Sequence, residues 1–472
     1  MSGPMSLEPG GVEQDTLTLR LADTRPPRRR PRWAFDDATL AIRLPLRGPD
    51  EEAVSRLAAE LADRVGPAVH SYEVAALLEA EGLSAALIKE RYGHPSLFSL
   101  AAALYEQVPR TFPEPARAAD PWRPDTVRCL LRGVLFALPG LAYLLTAPLW
   151  DAGRHAPVLI VAGLVSWAWG QALGHRAHLR MATGRREAGR TLLVGAPLGA
   201  AVATAAAAVP AGGGPVTLVA AAQSLYLAAA GVLLVLARER LLLAALTPLI
   251  AGAVVLPWWE PGSLPRAGLP LLALLATLAV TGRVLLVALG VPAVPGATRP
   301  RLLWSLPYGL FGLAAGVLVL LEGDREPYAV IVLTVSMGPA EWLLYRYRGL
   351  SVAALRATAT PAGFLLRSAG ILGLCLCAYL LPLVPAALYT GAEPAALLFL
   401  AAALWTALLL QAFGAAWPSA GVSLVAAAGA GAVTLLGLPP GPDGALTLCC
   451  GVAALCLSAC ALRLLGRPAP HA

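Results

Sequence analysis

The distribution of apolar and polar positions divides the chain into a short helical stretch and a long series of membrane-length runs. Between Glu51 and Arg110, Val54, Leu57, Leu61 and Val65 recur at helical spacing, as do Val74, Leu77 and Leu78, and then Leu97, Leu100 and Leu104. Gly82 and the turn from Gly93 to Pro95 separate these runs, which predicts a small bundle of three or four short helices. Beyond Val127 come about twelve apolar segments of the length that crosses a bilayer as a helix. They lie near 127–149, 156–175, 190–209, 215–237, 241–258, 267–289, 302–321, 327–345, 363–389, 394–414, 418–437 and 444–465.

The expected organisation follows. Residues 1–48 form a disordered basic tail, 49–110 a cytoplasmic helical domain and 111–126 a Pro-rich linker. Residues 127–289 and 302–466 form two transmembrane lobes, divided at "LGVPAVPGATRPR". The fold class is all-α: a polytopic membrane protein with about 12 transmembrane helices in two six-helix lobes and a small N-terminal helical domain. An even number of crossings per half gives both halves the same orientation, the parallel-repeat plan of many secondary transporters.

Charge orients the segments, because cytoplasmic loops carry an excess of Lys and Arg. Loops after odd-numbered segments hold Arg154, Arg266 and Arg325, along with several acids. The other side holds sixteen arginines: 176, 180, 185, 186, 190, 238, 240, 283, 299, 301, 346, 348, 356, 367, 463 and 467. Sixteen against three puts both termini on the cytoplasmic side of the cytoplasmic membrane, with "GHRAHLRMATGRREAGR" as a cytoplasmic loop. Trp150, Trp258 and Trp259 fall at outer ends, as an aromatic belt requires.

Composition agrees. The chain is 57% hydrophobic and 14% charged over 472 residues, with a mean hydropathy of +0.66. Lys89 is the single lysine and asparagine is absent, so arginine stands in many places where another genome writes lysine. The basic residues sit beside membrane segments without interleaved aromatics, which points to lipid headgroups and away from nucleic acid. Arg25, Arg28, Arg29, Arg30 and Arg32 suit anionic lipid equally well as a solvated tail. No h-region follows them, so the head is expected to stay in the cytoplasm, as a docking module for a protein partner or as a packed support. All seven cysteines fall in or at the edge of apolar segments without a CxxC pair, which indicates packing and not zinc or disulfides.

The stretch "GQALGHRAHLRMATGRREAGRTLL" resembles the region after the second helix in the MOP flippase superfamily, which includes polysaccharide exporters and MATE transporters. There a Gly-Gln at the helix end is followed by basic residues, a Gly and an Ala/Arg-rich third helix. The resemblance implies a V-shaped pair of lobes with a cavity opening alternately to each side. It implies a lipid-linked oligosaccharide, a nascent polysaccharide or an amphipathic drug as cargo. "SMGPAEWLLYRYRGL" is a counterpart in the second half, with Gly338 ten residues before Arg348 as Gly170 is before Arg180. Many MATE-type exporters carry an acid in the first helix, which segment 1 lacks, so the polysaccharide branch fits better. The major facilitator motif G-x-x-x-D-R-x-G-R-R fits less well: Gly184-Arg185-Arg186 is present, but the aspartate is missing.

Polar groups at membrane depth are costly and usually functional. Arg132, Gln171, Gln223, Arg283, Glu341, Arg367 and Gln411 are the candidate substrate-binding residues. Arg283 and Arg132 would grip a pyrophosphate or acidic sugar with guanidinium forks. Glu341, the one acid inside a segment, would pair with one of them or carry a proton; the alternative has it paired with Arg346 and Arg283 snorkelling. No catalytic residue, metal site or cofactor motif is expected: His175 and His178 lack a third ligand, and no GxxxxGK[ST] occurs. Small-molecule export and a non-transporting scaffold of a polysaccharide synthase complex are the remaining alternatives.

Overall fold

A computed structural model describes residues 49–109, 124–211, 214–293, 300–358, 360–391, 393–439 and 441–467. The expected tail over 1–48, most of the linker and the centre of the expected boundary between halves, 294–299, lie outside these residues. Every regular element among them is helical, and they fall into two compact units, one within 10–121 and one within 122–472.

The first unit has five helices: α1 (Pro49–Glu60), α2 (Ala62–Val65), α3 (Ser71–Ala80), α4 (Ala85–Tyr92) and α5 (Leu97–Gln107). This exceeds the three or four expected, because the chain breaks at Leu61 and adds the single turn α2. Side-chain caps set the other starts. His70 accepts from the Tyr72 amide and Ser84 from the Leu87 amide, while Ser96 and Ser99 satisfy each other's amides in a capping box. Gly93 closes α4 in the left-handed region at φ 70°. Leu78, Ile88, Leu100 and Leu104 are fully buried at the centre of the unit's own core.

The second unit comprises α6 (Thr126–Ala137), α7 (Gly140–Thr146), α8 (Ala152–Thr183), α9 (Arg185–Ala211), α10 (Pro215–Val235), α11 (Glu239–Ala245), α12 (Thr247–Val255) and α13 (Ser263–Leu289). It continues with α14 (Leu306–Arg325), α15 (Pro327–Arg356), α16 (Pro361–Leu380), α17 (Leu383–Thr390), α18 (Pro394–Ala412), α19 (Ala416–Leu436) and α20 (Gly441–Leu465). Among the described residues, eleven spans are long and apolar enough to cross a membrane, with α6–α7 and α16–α17 each making one. This is a multi-pass membrane protein.

The count differs from twelve at the fifth segment. Residues 241–258 were expected as one helix, but the chain forms α11 and α12, which meet at Leu246 with Pro248 in the first turn of α12. Proline has no amide to continue the preceding ladder. A continuous helix from Glu239 to Val255 would in any case reach only about 25 Å, short of a hydrocarbon core of about 30 Å.

The expected basic loop after the second segment is also different. Helix α8 runs on through Arg176 and Arg180 to Thr183, and Gly184 alone separates it from α9. Gly184 has φ 139°, and its amide bonds to the Arg180 and Met181 carbonyls. Arginine is a strong helix former, so charge ends the apolar run without ending the helix. Helix α15 likewise carries Arg346 and Arg348 and stops only at Arg356.

The buried apolar side chains gather in separate clusters before and after residue 300. One core cluster gathers side chains from α14 to α20, and three smaller clusters lie among α6 to α13. Across the halves, α6 lies on α15 and α8 on α14. Beyond the break at Leu138 and Pro139, α7 packs on α12 and α13 of its own half.

Candidate functional site

The site grows from a place where two helices touch backbone to backbone. A β-carbon at Gly133 of α6 would lie 2.9 Å from the Gly338 amide nitrogen of α15, and one at Gly338 would lie 2.8 Å from the Cys129 carbonyl oxygen. Only glycine permits this approach. It carries Arg132, beside Gly133, to Glu341, one turn beyond Gly338.

Arg132 donates from Nη1 to Glu341 Oε1 at 2.6 Å, from Nε to Glu239 Oε1 at 2.9 Å and from Nη2 to the Leu234 carbonyl at 3.2 Å. Arg128, one turn earlier on α6, adds a bond from Nε to the same Glu239 oxygen at 2.8 Å. Glu239 is buried, and the Arg132 and Glu341 side chains are each 12% exposed. Arg132 and two carboxylates thus satisfy each other inside an apolar body, with the half-exposed Arg128 adding a bond from its edge, which is the condition for keeping ionised groups there. The sharp end of α10 aims Glu239: Ala237 adopts φ 57°, and the Arg238 amide returns to the Leu233 carbonyl at 2.8 Å.

Helices α8 and α14 cross on small residues as well. Gly309, Gly312 and Gly316 face Ala172, Gln171 and Leu164, and a β-carbon at Gly312 would come within 2.8 Å of Gln171 Cγ. Toward the basic end His175 stacks on Tyr308 with ring centroids 3.7 Å apart, and its Nδ1 lies 3.1 Å from Ser305 Oγ. His178 Nδ1 is 2.8 Å from the Gly174 carbonyl, so each imidazole is engaged within the protein.

Of the sequence candidates, then, Arg132 and Glu341 meet, and Gln171 is buried at the second crossing. Gln411 is buried at the end of α18, where its side-chain Nε2 donates to Ser419 Oγ at 3.2 Å and its backbone carbonyl accepts from the Tyr308 hydroxyl at 3.4 Å. Gln223 donates to the Leu159 carbonyl at 3.1 Å inside the first half. Arg283 and Arg367 are exposed on α13 and α16 and join no ion pair among the described residues. The expected alternative pairing of Glu341 with Arg346 does not form: the Arg346 guanidinium lies over the Trp342 ring, 5.5 Å from its centroid. Arg180 and Arg348, the matched arginines of the two halves, are both buried, one bonded to Glu187 and the other over Phe413.

Two acids escaped the sequence reading. Glu239, between Arg238 and Arg240, is not among the sequence candidates; its place just after an apolar run, with an arginine at membrane depth needing a partner, is the available signal. Glu322 is one of the acids expected in the loops after odd-numbered segments, but α14 extends past it and buries it, with Arg325 3.6 Å away. It is therefore a buried acid within a helix of the body.

The chain matches no known protein family, curated protein or solved structure.

Proposed function

We propose that the chain is a secondary transporter or flippase of the cytoplasmic membrane that moves a polysaccharide or lipid-linked oligosaccharide by alternating access, without catalysing a covalent step. The carrying observation is the form of the joint between the halves: α6 lies on α15 and α8 on α14, the first and second helices of one half against the second and first of the other. That reciprocal pairing is what two lobes related by an internal two-fold produce. On this reading α11–α12 is a broken fifth crossing, the halves are six-helix lobes, and the arginine-rich side with both termini is cytoplasmic.

The start of α6, the end of α8 and the start of α14 share that side, so the Arg132 cluster and the His175–Tyr308 stack close it. Helix α7, turned toward its own half, leaves the opposite end freer to part. Opening the closed side frees Arg132 from Glu341 and Glu239, and its fork then becomes available to a phosphate or acidic sugar. Arg283, exposed on α13, is the second anion contact.

The test measures surface polysaccharide and lipid-linked sugar intermediates in a deletion strain complemented by wild type, Arg132→Ala or Arg283→Ala. Loss of surface polymer with intermediates retained inside, unrescued by the variants, is expected. Unchanged polymer and intermediates in the deletion strain overturn the polysaccharide reading.

A non-transporting scaffold is the second reading, favoured by the backbone contact at Gly133 and Gly338. It requires that cross-linking α6 to α15 leave the protein's activity unaltered.

A further inference from the structure

The helical head displays an aromatic patch that its own core does not use. Val69 and Tyr72 are each 67% exposed and Phe98 is 60% exposed. The Tyr72 and Phe98 rings meet edge to face at 5.9 Å, and the His70 ring lies 4.7 Å from that of Tyr72. The Tyr105 hydroxyl donates to the Val69 carbonyl at 2.7 Å and fixes the turn that leads into α3. Phe98, Ala102 and Glu106 follow one another at four-residue spacing on an exposed face of α5. Large aromatics left on the surface together mark a contact site.

The charge around the patch says what kind of contact. Residues 51–109 hold nine Asp and Glu against four Lys and Arg, and all nine carboxylates are exposed, in a chain whose net charge is +7. Glu73 lies at the patch itself, where Oε2 accepts from the Val69 amide at 3.0 Å. An apolar patch with Glu73 beside it, on a head with an excess of acid, suits a basic segment that carries aromatic anchors.

The chain contains one such segment close by. Residues 25–35, "RPPRRRPRWAF", have five arginines, three prolines, Trp33, Phe35 and no acid. Prolines and tryptophan are what aromatic surfaces receive best, and arginine stacks on tyrosine and phenylalanine rings. The residues from 36 to 48 reach about 45 Å when extended, more than the width of a bundle this size, so every point of the head is within range. Attachment in the same chain gives an effective concentration of the order of millimolar.

We infer that residues 25–35 dock on the Val69–Tyr72–Phe98 patch of their own chain. The docked segment is withheld from anionic lipid, so the head governs whether that positive charge reaches the membrane surface.

The experiment places the photo-crosslinking residue p-benzoylphenylalanine at position 72 of the full chain in its membrane. Mass spectrometry is expected to find the cross-link within residues 25–35 of the same molecule. The yield is expected to fall at least fivefold in 0.5 M salt or when Arg28, Arg29, Arg30 and Arg32 are replaced by Glu. A fluorescent peptide of residues 20–36 is expected to bind a chain lacking residues 1–40, at least tenfold more weakly when it carries Trp33→Ala. Cross-links to lipid, to the membrane unit, to a second differently tagged copy or to another protein overturn the inference. So does the absence of both cross-linking and peptide binding.

Discussion

Arg132 and Glu341 come from opposite halves of the membrane unit, yet Nη1 and Oε1 stand 2.6 Å apart, held there by two glycines. Their dependence on one another is unequal. Without Glu341, Arg132 keeps Glu239 and the Leu234 carbonyl; without Arg132, Glu341 is left bare and Glu239 retains only Arg128. Arg132→Ala is therefore expected to cost about 3–5 kcal/mol, the range for an orphaned buried charge. Glu341→Gln is expected to cost about 1–2 kcal/mol, since an amide oxygen still accepts from Nη1. Thermal unfolding of both variants in detergent checks the order, and equal losses would refute the shared network.

Gly338→Leu is expected to abolish the α6–α15 contact, because its β-carbon meets a backbone oxygen that cannot rotate away. Even Gly338→Ala should cost about 1–3 kcal/mol of overpacking. By contrast Gly373→Ala on α16, where the added carbon meets nothing within 4 Å, should be neutral or slightly stabilising. Comparing the melting temperatures of the two alanine variants isolates the crossing from general helix effects.

Ala237→Gly is expected to stabilise the protein by about 1 kcal/mol. A β-carbon is disfavoured at φ 57°, and glycine relieves it without moving Glu239. A raised melting temperature with the Arg132 network intact is the expected pair of results. A lowered one would mean that the methyl group contributes packing worth more than the strain.

Glu322→Gln is expected to preserve or raise the melting temperature. The carboxylate is fully buried, and Arg325, at 3.6 Å, stands beyond hydrogen-bond distance. Removing the charge lifts a desolvation cost that a pair at this distance offsets only in part. A loss comparable with that of Arg132→Ala would show that the pair is worth more than its separation suggests.

The apolar runs made the helices of the membrane unit readable, because crossing a bilayer imposes both length and composition. Helix ends were less readable. Arg176 and Arg180 mark where the apolar surface stops, but α8 continues to Thr183 because nothing in arginine breaks a helix. The fifth segment misled for the opposite reason: its composition is apolar throughout, while Pro248 interrupts its backbone. Within the candidate site, Arg132 and Glu341 were visible as charges at a costly depth, but neither the Gly133–Gly338 contact that joins them nor the acid that completes the group has a local signature. Glu239 acquires its role only when the turn at Ala237 folds it back, and that is a tertiary fact.

The single-residue turn at Gly184 has a mechanical consequence. Helices α8 and α9, of 32 and 27 residues, are packed along each other with one glycine between them and no slack to let one slide past the other. They make a stiff lever whose near arm bears on α14 through Gln171 and Gly312. A rotation of α8 at that bearing is therefore expected to carry α9 with it.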